Sequence, residues 1–447
     1  MDTRLPLNDI GLGQRFDKLT RHDARCCHPW HSWLIWDGRR WQKDASGRAT
    51  EHAKATARSI YTEAAKAQEA DEPGLAKELA KFAGQSHSLR SLNAMLSLAQ
   101  SESGIPVQPT ELDADPWLLN VGNGVLDLRR DSFGLRPHRQ VDMITQLAPV
   151  RYEPDATCPL WERVLLEWMA GDHDLVAFLQ RLCGYVLTGR TDTHVLPFCF
   201  GTGSNGKGVF TATLLELLGD YAMRAPDELL IQRRGEPHPT ERADLHGKRL
   251  AVATENEAGC RWNETLIKSL TGGDRVRARR MREDFFEFTP THKFIVTGNH
   301  RPAVRGRDHG IWRRMRLIPF LVTYTEDQID RELPDKLRAE WSGILNWAIR
   351  GCLDWQLAGL SEPKAVRTAT ADYRASEDVL AQFIEDCCTI DPDAHVATGE
   401  LRAAYEKWCE TNGEKPLGSR AFSTTLGDDY RGDKRGGQRV RVGLRLK

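Results

Sequence analysis

The stretch Leu196-Pro197-Phe198-Cys199-Phe200-Gly201-Thr202-Gly203-Ser204-Asn205-Gly206-Lys207-Gly208-Val209 decides the fold. Five apolar residues read as a buried strand. They run into a glycine-rich loop, and the apolar run Val209 to Leu218 then reads as a helix. The loop fits G-x-x-x-x-G-K, with a strand before it and a helix after it, as a phosphate-binding loop requires. Its glycines let backbone N–H groups turn inward, and the helix N-terminus adds partial positive charge. Gly201, Gly203, Ser204, Asn205, Gly206, Lys207, Gly208 and Val209 are the candidate phosphate-binding residues, with the Lys207 ammonium reaching the terminal phosphates. The Ser or Thr that usually follows the lysine and binds Mg²⁺ is Gly208 here. Carboxylates and waters must then hold the metal, or Thr211 must reach it from one turn on.

Outward from the loop, two further apolar strands carry polar residues at their ends. Arg249 to Thr254 leads into Glu255-Asn256-Glu257, whose two carboxylates, two residues apart in an extended chain, point the same way. One can orient Mg²⁺ while the other polarises the attacking water, and the spacing does not say which does which. Lys293 to Thr297 ends at Gly298-Asn299-His300, where a polar side chain would lie between the phosphate loop and the acidic strand. Strands alternating with helices predict an α/β core. Between these two strands Arg275, Arg277 and Arg279 alternate, and Phe285-Phe286-Glu287-Phe288 reads as the returning strand of a hairpin. Residues 275–316 hold twelve Lys and Arg against four acids, a local basic cluster suited to a phosphate backbone.

The flanks are less specific. Trp33 to Trp36, Asp37-Gly38 and Arg39 to Trp41 read as strand, tight turn and strand. Residues 51–101 read as helices. Asn120 to Leu128 reads as a turn and then a strand. A helical run starts at Pro159, breaks near Gly171 and resumes to Val186. Residues 353–378 are polar and carry Pro363, which suits a connector. The last stretch, 379–447, predicts a small α+β unit ending in two basic strands, with seven Lys and Arg against one acid in residues 431–447.

The chain has 447 residues, 40% hydrophobic and 28% charged, with 62 Lys and Arg against 63 Asp and Glu. That excludes a disordered or fibrous chain and any global basic attraction to nucleic acid. No 18-residue apolar run suggests a membrane span, and the N-terminus lacks an apolar signal core. Ten scattered cysteines fit a reducing, cytoplasmic setting. Cys26-Cys27-His28 with His31 lacks the spacing of paired zinc ligands.

The order of motifs resembles a known family. Phosphate loop, Glu-x-Glu strand, Lys268-Ser269-Leu270-Thr271-Gly272-Gly273-Asp274, basic hairpin, Asn-ended strand and Gly310-Ile311-Trp312-Arg313-Arg314 follow one another as in superfamily 3 helicases of the phage and plasmid primase–helicase family, the poxvirus-primase-like group. Asn123 to Leu128, Leu182 to Tyr185 and Trp36-Asp37-Gly38 resemble that family's N-terminal helicase-associated domain. The resemblance implies an α/β AAA+ P-loop ATPase core at 191–350. A mainly helical helicase-associated domain at 1–190 precedes it, a helical connector at 351–390 follows, and a winged-helix-like α+β domain at 391–447 closes the chain.

It further implies an ATP- and Mg²⁺-dependent ring, usually hexameric, that moves 3′→5′ on one DNA strand for a phage, prophage or plasmid-type element, with ATP between subunits. Carried over by position, Lys207 binds phosphate, Glu255 and Glu257 form the metal and base pair, and Asn299 is the sensor. Arg313 and Arg314 are the arginine fingers, with Arg305 as the alternative. Arg282 falls at the tip of the channel hairpin, flanked by Arg277, Arg279 and Arg280. Lys268 precedes the hairpin, and Arg435 and Arg439 lie on the basic tail; all are candidate DNA contacts. Family members often carry a primase domain ahead of the helicase. Asp113-Ala114-Asp115 and Ser86-His87-Ser88 are in the wrong order for one, so the expectation is a helicase served by a separate primase or polymerase. The competing expectation is an ATP-regulated DNA-binding initiator or loader with little unwinding.

Overall fold

The computed structural model describes residues 4–226, 229–232, 239–255, 260–281, 284–304, 309–414 and 416–447. Its centre is a parallel sheet of five strands: β1 (Leu196–Phe200), β2 (Ala222–Arg224), β3 (Leu250–Glu255), β4 (Lys293–Gly298) and β5 (Met315–Pro319), in the order β5-β1-β4-β3-β2. Parallel strands need both faces covered, and the side-chain alternation supplies two apolar faces. Cys199, Val252, Ile295 and Ile318 pack into one core, with helix Lys207–Leu218 and the helices Pro159–Trp168, His173–Leu187 and Trp341–Ala358. Phe198, Ala251, Phe294 and Leu317 pack into another, with Trp262 and helix Glu264–Thr271.

Register aligns the strand ends. Pro319, Phe200, Gly298 and Glu255 stand in one row across β5, β1, β4 and β3. The phosphate loop, Asn299 and the acidic segment therefore leave the sheet at the same edge. Such an edge, beyond the carboxyl ends of parallel strands, is where ligands of α/β sheets bind.

The region ahead of the parallel sheet packs in two parts. Residues 4–112 have their own cores, built from helices Asp9–Thr20, Arg48–Glu69, Pro73–Ser86 and Leu89–Ala99 and a three-stranded sheet, Ala24–Cys27, Ser32–Trp36 and Trp41–Lys43. Residues 118–187 share the core of the parallel sheet. Asn120 to Leu128 is a hairpin of two strands, Leu118–Val121 and Gly124–Asp127, rather than a turn and one strand. The N-terminal part is mainly helical, with two small three-stranded sheets beside its helices. Helix Trp341–Ala358 also runs through position 350, because its Gly351 meets Gln180 O and Gly184 of the facing helix meets Cys352 N too closely for any side chain. The stretch expected as a helical connector takes in the end of helix Trp341–Ala358 and the whole of helix Lys364–Ser376. The second lies along β5, where Thr370 Oγ1 accepts from Leu317 N at 3.0 Å.

Residues 379–446 form a separate core in the order helix, strand, helix, helix, strand, strand. The first strand, Cys388–Ala397, starts before position 391 and pairs with Gln438–Leu446, which in turn pairs with Gly432–Arg435. Among the described residues no helix is long and apolar enough to cross a membrane.

Candidate nucleotide site and nucleic-acid surfaces

Lys207 opens a 12-residue helix directly behind the loop. Its buried ammonium donates to Gly201 O at 2.6 Å, Asn205 Oδ1 at 3.1 Å and Asn299 Oδ1 at 3.2 Å. These acceptors are all neutral oxygens. Burial pulls the Lys207 pKa below its ordinary value. A cation held by dipoles alone, at a helix N-terminus, is arranged for an anion.

The loop is clamped from behind. Asn205 Nδ2 donates to Phe320 O at 3.0 Å, and Tyr324 N donates to Ser204 O at 2.8 Å. Gly206 has φ +87° and lies against the Trp168 indole, where a Cβ would overlap the ring. Trp161 stacks on Phe210 of the loop helix, with ring centroids 5.9 Å apart.

A cavity of 490 Å³ adjoins this loop. Gly203 to Val209 and Asn299 line it together with the apolar Leu160, Val164, Trp168, Tyr324 and Leu333 and the polar Arg163, Glu167, Gln328 and Asp330. Its volume and its mixed polar and aromatic lining suit a small anionic ligand with a flat apolar part. Sequence reading missed the apolar lining. Trp168 and Tyr324 lie well outside the loop motif, and nothing local marks either as its neighbour.

The magnesium side differs from one expectation. Thr211 is buried and its hydroxyl donates to Lys207 O at 3.0 Å, the ordinary back-bond of a helical threonine, so it is turned away from the loop mouth. Position 208 is open: nothing lies within 4 Å of where a Cβ would stand. Glu255 ends β3 beside Gly298 of β4. Its side chain, and Glu257, Arg282 and Arg305, lie outside the described residues.

Arg313 and Arg314 part company. Arg313 is exposed. Arg314 is buried; its Nε donates to Thr271 Oγ1 at 3.0 Å and its Nη1 to Gly310 O at 2.7 Å. It ties the Gly310–Trp312 turn to helix Glu264–Thr271, a packing role that a finger reaching a neighbour's site could not keep.

The basic hairpin pairs Val276–Arg279 with Phe285–Phe288. Val276, Ala278 and Phe288 face the core, which leaves Arg277 and Phe285 outward. The guanidinium carbons of Arg277 and Arg279 stand 4.3 and 4.9 Å from the Phe285 ring centroid, and that of Arg280 stands 5.7 Å from Phe286. Phe285 thus holds two arginines side by side, a role its place in an apolar run concealed. Lys268 is half-buried on helix Glu264–Thr271. On the tail, Arg439 is exposed, and Arg435 pairs with Asp433 at 3.5 Å.

The acids Asp113 and Asp115 are separately engaged. Asp113 accepts from Thr145 N at 2.8 Å and from its hydroxyl, and burial raises its pKa; Asp115 pairs with Arg129 at 2.7 Å. Among the described residues no cluster of three His, Cys, Asp or Glu could hold a metal.

Residues 13–169 match the family described as D5 N terminal like, 199–314 a family of unknown function, and 375–429 the family described as Poxvirus D5 protein-like. A protein of Frog virus 3 named a putative helicase is 30% identical over 260 residues, which cover 53% of this chain and 26% of that protein. One of African swine fever virus named a putative primase is 25% identical over 331 residues, 67% of this chain and 34% of the other. The chain spans about a quarter to a third of the length of these relatives. The apo structure of the NrS-1 C terminal region matches 97% of this chain and 99% of its own with a TM-score of 0.51 at 10% identity, a likeness of fold.

Proposed function

We propose that this chain, which belongs to the poxvirus D5-like primase–helicase family, is an ATP- and Mg²⁺-driven DNA helicase motor that works as a ring, with a hexamer as the expected assembly. It acts in replication of a phage, prophage or plasmid-type element. The observation that carries the reading is the Lys207 ammonium at a helix N-terminus, with neutral partners and Asn299 in reach, at the mouth of a 490 Å³ cavity.

Each residue then has a task. Loop N–H groups and Lys207 bind the phosphates. Asn299 stands between the phosphate strand and the acidic strand, where it can orient the attacking water. Glu255 and Glu257 are proposed as the metal-holding and base pair. Mg²⁺ would neutralise charge on the transferred phosphoryl group. Tyr324, Trp168, Leu160 and Leu333 hold the base. Arg313 serves a neighbour's site. Arg277, Arg279, Arg280 and Arg282, with Lys268, track one DNA strand 3′→5′. The winged-helix-like tail, through Arg435 and Arg439, meets duplex at the fork, and priming falls to a separate primase or polymerase.

DNA-stimulated ATP turnover tests the site. Lys207→Ala should lower turnover by about a thousandfold or more while the thermal unfolding profile keeps its shape. Normal turnover by that variant would end the assignment.

A further inference from the structure

The basic hairpin is a two-stranded sheet of four residues a side. Such a hairpin is marginal by itself, so its direction is set by what it packs on. Phe286 and Phe288 rest on His246, with ring centroids 5.7 and 5.3 Å away. His246 in turn meets Trp30 of the N-terminal sheet, edge to face, at 6.2 Å and 85°. The Arg280 guanidinium carbon stands 5.7 Å from the Phe286 centroid. Trp30, His246, Phe286 and Arg280 therefore form one run of ring contacts, from the N-terminal sheet to a basic residue of the hairpin.

Local sequence fixes the start of that run. Pro29 lies in the single 3-10 turn His28–Trp30, and His31, at φ +47°, reverses the chain so that Ala24–Cys27 and Ser32–Trp36 pair on either side. His28 Nε2 lies 3.0 Å from Gln100 O, and Ser32 Oγ donates to Trp30 O at 2.8 Å. Trp30 also packs on the core of Cys27, Leu34 and Trp41.

The other side is fixed as well. Two residues after His246, Lys248 Nζ donates to Asp220 O at 2.6 Å, and Lys248 O accepts from Thr291 Oγ1 at 2.7 Å. Arg40, in the next turn of the N-terminal sheet, pairs with the Asp220 carboxylate. Asp220, Lys248 and Thr291 lead into β2, β3 and β4. Two turns of one small sheet thus meet the parallel sheet where these three strands begin, and His246 stands at that junction.

We propose that Trp30 and His246 are positioning residues for the hairpin. The N-terminal sheet, through them, sets where Arg280 and its neighbours Arg277 and Arg279 stand, so sheet and hairpin move on DNA as one body. The proposal rests on the reading of the hairpin as a grip on single-stranded DNA.

The test uses the full chain with Trp30→Ala, Trp30→Phe and His246→Ala, oligo-dT as the probe, and a fork with a 3′ single-stranded arm. Thermal unfolding checks folding, and His246→Ala tests the same contact from its other side if Trp30→Ala does not fold. Turnover without DNA should stay within ~2-fold of native. The oligo-dT concentration for half-maximal stimulation should rise about fivefold or more in both alanine variants, the worth of an aromatic pair, with strand displacement reduced to match. Trp30→Phe should come within ~2-fold of native, because a ring still meets His246. The double alanine variant should lose no more than either single one, since both remove one contact. Native stimulation and displacement by the folded alanine variants would overturn the proposal, as would additive losses in the double variant. A loss shared by Trp30→Phe would overturn it in favour of a direct contact between indole and DNA. Loss of DNA-free turnover in step with displacement would overturn it by making the junction part of the ATPase fold. If oligo-dT fails to stimulate the native chain, the DNA-motor reading itself falls and the proposal with it.

Discussion

Position 208 is the residue at which this loop departs from its pattern, and its surroundings say what can be changed. No atom crowds a Cβ there, and the residue has ordinary helical backbone. Gly208→Ala should therefore stabilise the fold by up to ~1 kcal/mol, since glycine is a poor helix former. Gly208→Ser should fold equally well and lower the Mg²⁺ concentration for half-maximal turnover by supplying a hydroxyl ligand. A magnesium titration of turnover checks this; an unchanged midpoint would mean the hydroxyl does not reach the ion. The adjacent arginines give the complementary case. Arg314→Ala removes buried hydrogen bonds to Thr271 and Gly310 and should cost ~2–4 kcal/mol in denaturant unfolding. Arg313→Ala should leave stability within ~0.5 kcal/mol and depress turnover. The motif alone could not separate the two, because sequence does not say which of two successive side chains turns inward.

At the level of elements, His246 joins the hairpin to the N-terminal part. Its ring centroid stands 5.7 Å from Phe286, 5.3 Å from Phe288 and 6.2 Å from Trp30. Burial first, then Arg280 and Lys43, push its pKa down to about 4 from 6.5. Below pH 6.5 the unfolded chain takes up a proton that the folded chain refuses, so stability should fall between pH 6.5 and pH 4 and level off below. His246→Phe should remove ~2–3 kcal/mol of that loss, measured as the difference in unfolding free energy between pH 7 and pH 4. An unaltered pH slope in the variant would contradict the packing. Hairpin, phosphate loop and acidic strand were legible in the sequence because each has a local pattern: alternating arginines, spaced glycines, an apolar run with acids at its end. The short β2 and the edge strand β5 were not, since three residues carry no period and Met315–Pro319 follows an arginine-rich turn. The apolar lining from Trp168, Tyr324 and Leu333 was not legible either, because it is made by tertiary contact between segments far apart in the chain.

For the whole molecule, the tail has its own core, and residues up to Asp378 are held by helix Lys364–Ser376 on β5. Removing residues 379–447 should weaken duplex DNA binding by tenfold or more in a salt-dependent manner, with basal turnover changed less than ~2-fold. Equal binding by the shortened chain would assign the basic strands to the solvated surface. The order β5-β1-β4-β3-β2 puts the Asn299 strand between the phosphate strand and the acidic strand, so one edge of one sheet brings together the residues proposed to bind, sense and hydrolyse nucleotide. The basic hairpin issues from the segment between β3 and β4, and in the proposed function it would convert that hydrolysis into movement on DNA. Strand displacement on a fork with a 3′ single-stranded arm, with ATP and Mg²⁺, beside Lys207→Ala, tests this most directly. The account predicts ATP-dependent displacement by the native chain and none by the variant. Displacement undiminished in Lys207→Ala, or DNA-stimulated turnover by the native chain with no displacement at all, would contradict it.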